Sequence, residues 1–166
     1  MPSKVPSIIL GAVVYTIAAF ITGYISLNGG TSAQLITSAL CCVSALLGPG
    51  VAVWHYTTTH SQTVPAGTGA GLGAAAVVIG GAVSYVITLA LQAIGIYPST
   101  EEIMERSRDQ MLAQNPELTA EQVDGAMQMA EMFSGPLGAV VNLVMAAVIG
   151  AIGGAIAASV FKRGTA

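Results

Sequence analysis

Apolar residues fill four long runs of this chain, and polar residues gather in the gaps between them. The runs cover about residues 6–27, 32–56, 69–97 and 136–161. A helix needs about 20 residues to cross a hydrocarbon core about 30 Å thick, and each run reaches that length. Backbone groups in lipid must be satisfied within their own segment, and the runs lack the alternation of a membrane β-barrel. The pattern therefore predicts four transmembrane helices.

The polar segment before the last run predicts a helical hairpin outside the membrane, over residues 99–134. Ser99 followed by Glu102 has the spacing of a capping box at a helix N-terminus, and so does Thr119 followed by Gln122. Both predicted helices carry apolar residues at helical spacing, so each is amphipathic. Their apolar sides are expected to face each other or the ends of the membrane helices, with the carboxylates in water.

The distribution of charge strengthens the membrane prediction. No Lys, Arg, Asp or Glu occurs from Val5 to Thr100, and all eight acids lie between Glu101 and Glu131. Charged residues make up 8% of the chain, against about 25% in soluble domains. The predicted fold class is all-α: an integral membrane four-helix bundle with an extramembrane amphipathic hairpin between the third and fourth transmembrane helices. Residues 1–166 are expected to form a single membrane domain.

Orientation follows from the few basic residues. With four spans, both termini lie on one side, together with Lys4, Lys162 and Arg163, whereas Arg106 and Arg108 lie among the acids of the hairpin. Positive residues favour the cytoplasmic side, so both termini are predicted to be cytoplasmic. No basic patch is present that could hold a phosphate backbone, so nucleic-acid binding is not expected.

Two stripes of small or polar residues predict the main helix contact. On the third helix the stripe is Ala76, Gly80, Ser84, Thr88 and Gln92; on the fourth it is Asn142, Ala146, Gly150, Gly154 and Ala158. Small residues let membrane helices approach closely. Antiparallel alignment predicts that Gly80 meets Gly154 and that Gln92 forms a hydrogen bond with Asn142. The alternative is that the stripes line a narrow path or an oligomer contact.

The second run contains Gly48-Pro49-Gly50, where proline removes a backbone donor. A kink or a break of the helix is expected there. Breaks of this kind occur at transporter binding sites, and the alternative is a simple kink near the membrane surface. Cys41 and Cys42 are adjacent in the same run and are interpreted as small packing residues.

Few side chains suggest chemistry. His55 and His60 are five residues apart with no carboxylate nearby in sequence, and the methionines of the hairpin could suit Cu(I) but are also ordinary apolar filling. We expect no metal site, no cofactor and no catalytic residue, and therefore no enzyme. The acid cluster of the hairpin is either a solvated face or a docking face for a basic partner.

The stretch from Glu101 to Arg163 resembles the bacterial membrane-protein family called domain of unknown function 4199. The resemblance rests on an acidic Met-containing helix, the second helix "LTAEQVDGAMQMAEMF", the "SGP" before the last span, and a Gly-rich span ending in Lys162-Arg163. The first hundred residues share only the helix layout. The resemblance implies a protein of the bacterial inner membrane without an assigned activity.

Together these observations predict a non-enzymatic accessory or scaffold protein of a membrane. It is expected to be surrounded by lipid and to associate with a membrane-protein partner or a second copy, through its small-residue helix faces and its acidic hairpin. The alternative function is a small oligomeric transporter or channel for an uncharged or small solute, motivated by the Gly48-Pro49-Gly50 segment and the polar stripe.

Overall fold

The computed structural model describes residues 2–28, 30–134 and 136–161, and within these residues it contains helices and no strands. The six helices are α1 (Val5–Asn28), α2 (Gly30–His60), α3 (Ala66–Ala93), α4 (Thr100–Gln114), α5 (Ala120–Ser134) and α6 (Pro136–Val160). The prediction of an all-α fold is confirmed. The two helices of the hairpin follow one another between the third and fourth long helices, as the sequence predicted.

Three helices are long and apolar enough to cross a membrane. The segments are Val5–Ser26, Ala66–Ala93 and Gly138–Val160. Helix α2 has 31 residues, which corresponds to about 46 Å and also exceeds the hydrocarbon thickness. Several side chains in its first half, Cys41 and Cys42 among them, lie outside the described residues. Its crossing of the membrane therefore stays a prediction.

Helix α2 extends one turn beyond the predicted end at residue 56. The Thr57 hydroxyl donates a hydrogen bond of 2.9 Å to the Trp54 carbonyl, which satisfies a polar side chain inside the helix. The Tyr56 and His60 rings, 4.8 Å apart between centroids, pack edge to face. The helix ends where Ser61 adopts a left-handed φ of 49°. The connection between the second and third long helices is therefore shorter than the predicted bounds of the runs implied, because polarity alone does not end a helix.

Helix α3 ends four residues before the predicted residue 97. Gly95 adopts a positive φ of 72°, which glycine tolerates at little steric cost. Its N–H donates to the Gln92 carbonyl and the Ile96 N–H donates to the Leu91 carbonyl, both at 3.0 Å. These two bonds form a Schellman motif, which satisfies carbonyls at the helix C-terminus. The glycine, rather than the end of the apolar run, fixes this boundary.

By their contacts, the residues up to 85 and from 143 onward form one compact unit. Its buried cluster combines residues of α2, α3 and α6 with Val64 of the intervening loop, and Ile8 of α1 packs against it. The buried members are Val53, Tyr56, Val64, Leu72, Ala157 and Ala158. This unit therefore has a core of modest side chains contributed by helices that are distant in sequence.

Residues 86–142 form the second compact unit, which contains the hairpin. Both predicted capping boxes are present. The Ser99 hydroxyl accepts from the Glu102 N–H at 3.2 Å, while the Ser99 N–H donates to the Glu102 carboxylate at 3.0 Å. Thr119 and Gln122 make the equivalent pair of bonds at 3.3 and 3.0 Å. Val123 of α5 is fully buried.

Candidate interaction sites

Helices α3 and α6 meet backbone to backbone at a glycine seam, which we define as Gly69 and Gly73 of α3 with Gly150 and Gly154 of α6. A Cβ atom built on Gly73 would overlap the Gly150 carbonyl oxygen, and one built on Gly154 would overlap the Gly69 carbonyl oxygen. Of the glycines that the structure describes, these two show the most severe overlaps. A methyl group does not fit at either position, so the close approach depends on glycine.

The predicted register of this contact is wrong. Gly154 lies against Gly69 and Gly73 rather than against Gly80, and Gly150 lies against Gly73 and Val77. Gly150, Gly154 and Ala158 of the fourth-helix stripe do contact α3, but they meet a different face of that helix. The prediction aligned the two helices by their distance in sequence from the hairpin, as if both left it at the same depth. In the structure, the glycine pairs that allow the closest approach of the backbones determine the register.

The first two residues of the predicted α3 stripe, Ala76 and Gly80, pack on α1 instead. Gly80 lies against the backbone of Ala12 and the Tyr15 ring, and its carbonyl accepts a hydrogen bond of 3.1 Å from the Thr16 hydroxyl. Ala76 is fully buried, and its methyl group lies close to Gly11. Helix α3 therefore carries two small-residue faces, one for α6 and one for α1. The face of Ala76 and Gly80 was predicted, but its partner was not, because α1 shows no comparable unbroken stripe.

The Gly48-Pro49-Gly50 segment lies inside a helix that continues through it, so the expected break is not observed. Gly48 is buried against Tyr15 and the Gly11 carbonyl oxygen of α1. Pro49 is less than 2% exposed, and its ring carbons lie close to Gly153 of α6. Gly50 has open space where a side chain would be. The segment thus joins α2 to both α1 and α6; a kink at Pro49 stays a prediction.

The polar members of the predicted stripes do not pair with one another. The Gln92 side-chain amide donates a hydrogen bond of 3.0 Å to the Pro98 carbonyl, close to the Schellman motif. Asn142 is exposed. The predicted Gln92–Asn142 hydrogen bond is therefore wrong, because a nearer carbonyl after the helix end takes the donor. Thr88 and Ala146 are half-buried. The Ser84 hydroxyl oxygen is buried and has no hydrogen-bond partner among the described residues.

A hydrogen bond between α1 and α2 was missed by the sequence analysis. The Ser7 hydroxyl lies 2.9 Å from His55 Nδ1, and Ser7 is only 1% exposed. Two single polar residues 48 positions apart give no local signal, so no pattern could have paired them. Among the described residues, no group of three His, Cys, Asp or Glu side chains is placed to hold a metal ion, and His55 instead serves this contact.

The hairpin contains an open groove of about 920 Å³ between α4 and α5. Met104 and Met127 contribute thioether side chains to its lining, which also includes Gly125. Five carboxylates line the same groove: Glu101, Glu105, Glu121, Asp124 and Glu131. A lining that combines methionine with carboxylates differs from the evenly solvated face that was one of the two interpretations of the sequence.

One cation enters the groove and is already paired. Arg108 donates through Nη2 and Nε to the same Asp124 oxygen at 2.9 and 3.0 Å, and this pair links α4 to α5. Both side chains are substantially exposed, so the pair contributes at most about 1 kcal/mol. The groove keeps a formal charge of −4 from five carboxylates and one guanidinium at pH 7.

Comparison with known proteins leaves the interpretation to the geometry. The chain matches no family model, no curated protein and no solved structure. Two sites are thus defined by their contacts alone: a glycine-based helix packing and an acidic groove with methionine in its lining.

Proposed function

We propose that this chain is a four-span membrane protein that serves as a non-enzymatic accessory or scaffold, with α1, α2, α3 and α6 as its transmembrane bundle and the hairpin as its docking element. The observation that carries this proposal is the combination of glycine-packed long helices with a soluble hairpin that holds all the acids. The resemblance to domain of unknown function 4199 and a place in the bacterial inner membrane are parts of the same proposal.

The outward faces of the long helices support the membrane part of the proposal. On α1, Ile9, Val13, Ile17 and Ile21 recur at four-residue spacing and are each about half exposed. On α6 the same spacing exposes Val144, Val148, Ile152 and Ile156. Small residues face inward and large aliphatic residues face outward, which is the arrangement expected when lipid surrounds the helices.

The packing of α3 on α6 supports a structural rather than a transporting role. At the glycine seam the two backbones are in contact, and an added methyl group would already overlap main-chain atoms. A solute larger than a methyl group therefore does not pass between these two helices. Five residues of the stripes that suggested a path are instead in helix contacts: Ala76 and Gly80 with α1, and Gly150, Gly154 and Ala158 with α3.

One observation favours the second candidate, a small transporter or channel for an uncharged solute. The buried Ser84 hydroxyl on α3 has no partner among the described residues, and a polar group in such a position normally bonds to something. A water or a small polar solute would satisfy it. This single hydroxyl is the feature that transport would use.

Reconstitution distinguishes the two candidates. In liposomes, we expect glycerol and urea to equilibrate no faster with the protein than without it. Faster flux that falls with Ser84→Ala, but not with the exposed control Ser159→Ala, would establish the transporter instead.

Native mass spectrometry after extraction in mild detergent tests the scaffold directly. We expect the chain to remain with a second protein or a second copy. A protein that emerges as a lone monomer under all mild conditions would contradict the scaffold proposal.

A further inference from the structure

The groove between α4 and α5 combines two properties that are usually separate on a protein surface. Its lining holds carboxylates of both helices together with the side chains of Met104 and Met127, both half-buried. Methionine is flexible and polarisable, and it suits surfaces that accept apolar side chains of varied shape. A solvated helix face would not need an apolar lining.

Four of the five carboxylates of the groove have no cation paired with them among the described residues. Glu101 and Glu105 are one helical turn apart on α4, where like charges destabilise each other. Arg108 neutralises only Asp124, and among the described residues Glu101, Glu105, Glu121 and Glu131 make no ion pair. A ligand that brings several positive charges would relieve this repulsion.

The spread of the charges defines the shape of that ligand. Glu121 and Glu131 lie ten residues apart on α5, which corresponds to about 15 Å along the helix. No three acids among the described residues converge on one point, so a single metal ion does not fit them. Charges distributed along a groove formed by two helices match a helix with basic residues on successive turns.

We propose that the groove between α4 and α5 binds a cationic amphipathic helix of about three turns, supplied by a partner protein. Its Lys or Arg residues pair with the carboxylates of the groove, and its apolar residues lie on Met104 and Met127. The inference rests on the proposed scaffold function and names the partner chemistry of that site. Under the four-span arrangement the basic termini of the chain are on the other side of the membrane, so the chain does not fill its own groove.

The test uses the full chain in nanodiscs of neutral lipid and a fluorescent 12-residue peptide of Leu and Lys with an amphipathic helical pattern. A scrambled peptide of the same composition and empty nanodiscs serve as controls. Fluorescence anisotropy is expected to show saturable binding of the patterned peptide that weakens as NaCl is raised. Binding of the scrambled peptide with equal affinity would overturn the proposal, because charge alone would then suffice.

Charge-matched variants locate the binding. Glu105→Gln with Glu121→Gln removes two groove charges and is expected to weaken binding by about tenfold, the size expected for two exposed ion pairs. Asp109→Asn with Glu117→Gln removes two charges outside the groove and is expected to change affinity less than twofold. Equal losses in both double variants would contradict binding in the groove.

The apolar part of the groove has its own variant. Met104→Gln with Met127→Gln is expected to weaken binding while leaving its salt dependence unchanged, whereas the exposed control Met129→Gln is expected to have no effect. Unchanged binding in the Met104/Met127 variant would show that the lining takes no part. If the peptide fails to bind but native mass spectrometry still finds a partner, this inference falls and the scaffold function stands.

Discussion

Glycine contributes to the packing of this protein through its lack of a side chain. At the glycine seam of α3 and α6, main-chain atoms occupy the space that side chains would take, and this allows dispersion contacts and close backbone approach in a lipid environment. The same residue type elsewhere on α3, at Gly71, has open space around it. Two glycines on one helix therefore have different structural roles, which substitution can separate.

Replacing Gly73 by Ala is expected to destabilise the protein by about 1–3 kcal/mol, the usual cost of an added group in a tightly packed site. The matched substitution Gly71→Ala adds the same methyl group to open space on the same helix and is expected to be neutral or slightly stabilising. Thermal unfolding in detergent, followed by circular dichroism, measures both. Equal midpoints for the two variants would contradict the close approach.

The Ser7–His55 hydrogen bond is expected to couple α1 to α2 by about 0.6 kcal/mol, the average for such bonds between membrane helices. A double-mutant cycle of Ser7→Ala and His55→Leu isolates this coupling from the effects of each substitution. The control cycle uses the exposed Ser26→Ala with His55→Leu and should be additive. Zero coupling in the Ser7/His55 cycle together with non-zero coupling in the control cycle would show that the assigned pair is incorrect.

At the scale of elements, helix ends are set by a few local hydrogen bonds. The capping box at Ser99 begins α4, and the Schellman motif at Gly95 ends α3 four residues earlier. Between them the chain has room for a short connection, which separates an apolar helix from a polar one. The hairpin then depends on its own caps, on Val123 and on the Arg108–Asp124 pair for its stability.

Ser99→Ala is expected to destabilise α4 by about 1 kcal/mol, because the Glu102 N–H loses its acceptor. Hydrogen exchange of α4 amides in the full chain should accelerate about fivefold. Ser107→Ala, in the middle of the same helix, removes a hydroxyl that bonds only to the Ile103 carbonyl and should leave the exchange unchanged. Similar acceleration in both variants would indicate a general loss of helicity.

Arg108→Gln is expected to weaken the packing of α4 on α5 by less than about 1 kcal/mol, with a smaller effect at high salt. The neighbouring Arg106→Gln removes the same charge without removing an ion pair that the structure shows. Comparison of hydrogen exchange in the hairpin at 0.05 and 0.5 M NaCl separates the two. A larger loss for Arg106→Gln would mean that the pair is not the link between the helices.

At the scale of the whole molecule, the number of crossings decides which ends share a side of the membrane. Three helices meet the length and hydropathy of a span, and α2 is the fourth candidate. With four crossings the N- and C-termini share one side of the membrane and the hairpin lies on the opposite side. With three crossings the two termini lie on opposite sides. Labelling of single cysteines distinguishes these arrangements.

In a background of Cys41→Ser and Cys42→Ser, we expect cysteines introduced at Ser3 and Ala166 to react together and a cysteine at Glu117 to react from the opposite side. A membrane-impermeant maleimide applied to sealed right-side-out and inverted vesicles makes the measurement. Detergent-solubilised protein, in which all three sites should react, is the control. Reaction of Ser3→Cys and Ala166→Cys from opposite sides would exclude four crossings.

Local patterns predicted the elements well and the contacts between them poorly. The apolar runs, the capping boxes and the hairpin follow from residues close together in sequence, whose hydrogen bonds and hydrophobic spacing are local. Helix α2 ends later than its polar residues predicted, and the Thr57 hydroxyl bonds to a main-chain carbonyl within it. Helix α3 ends before its apolar run does because of the Schellman motif at Gly95. The register of α3 on α6 and the pairing of Gln92 required distances between residues far apart in the chain.

The sequence by itself determined that this protein is helical, that its long helices are free of charge from Val5 to Thr100, and that its acids belong to a separate hairpin. Those properties follow from whether the residues of each segment are compatible with lipid or with water. Only the tertiary structure decided that Gly154 meets Gly69 and Gly73, that Gly80 meets α1, and that five acids of α4 and α5 share a groove with methionine in its lining. Many stripes of small residues are compatible with close packing, and the choice among them depends on all the helices at once.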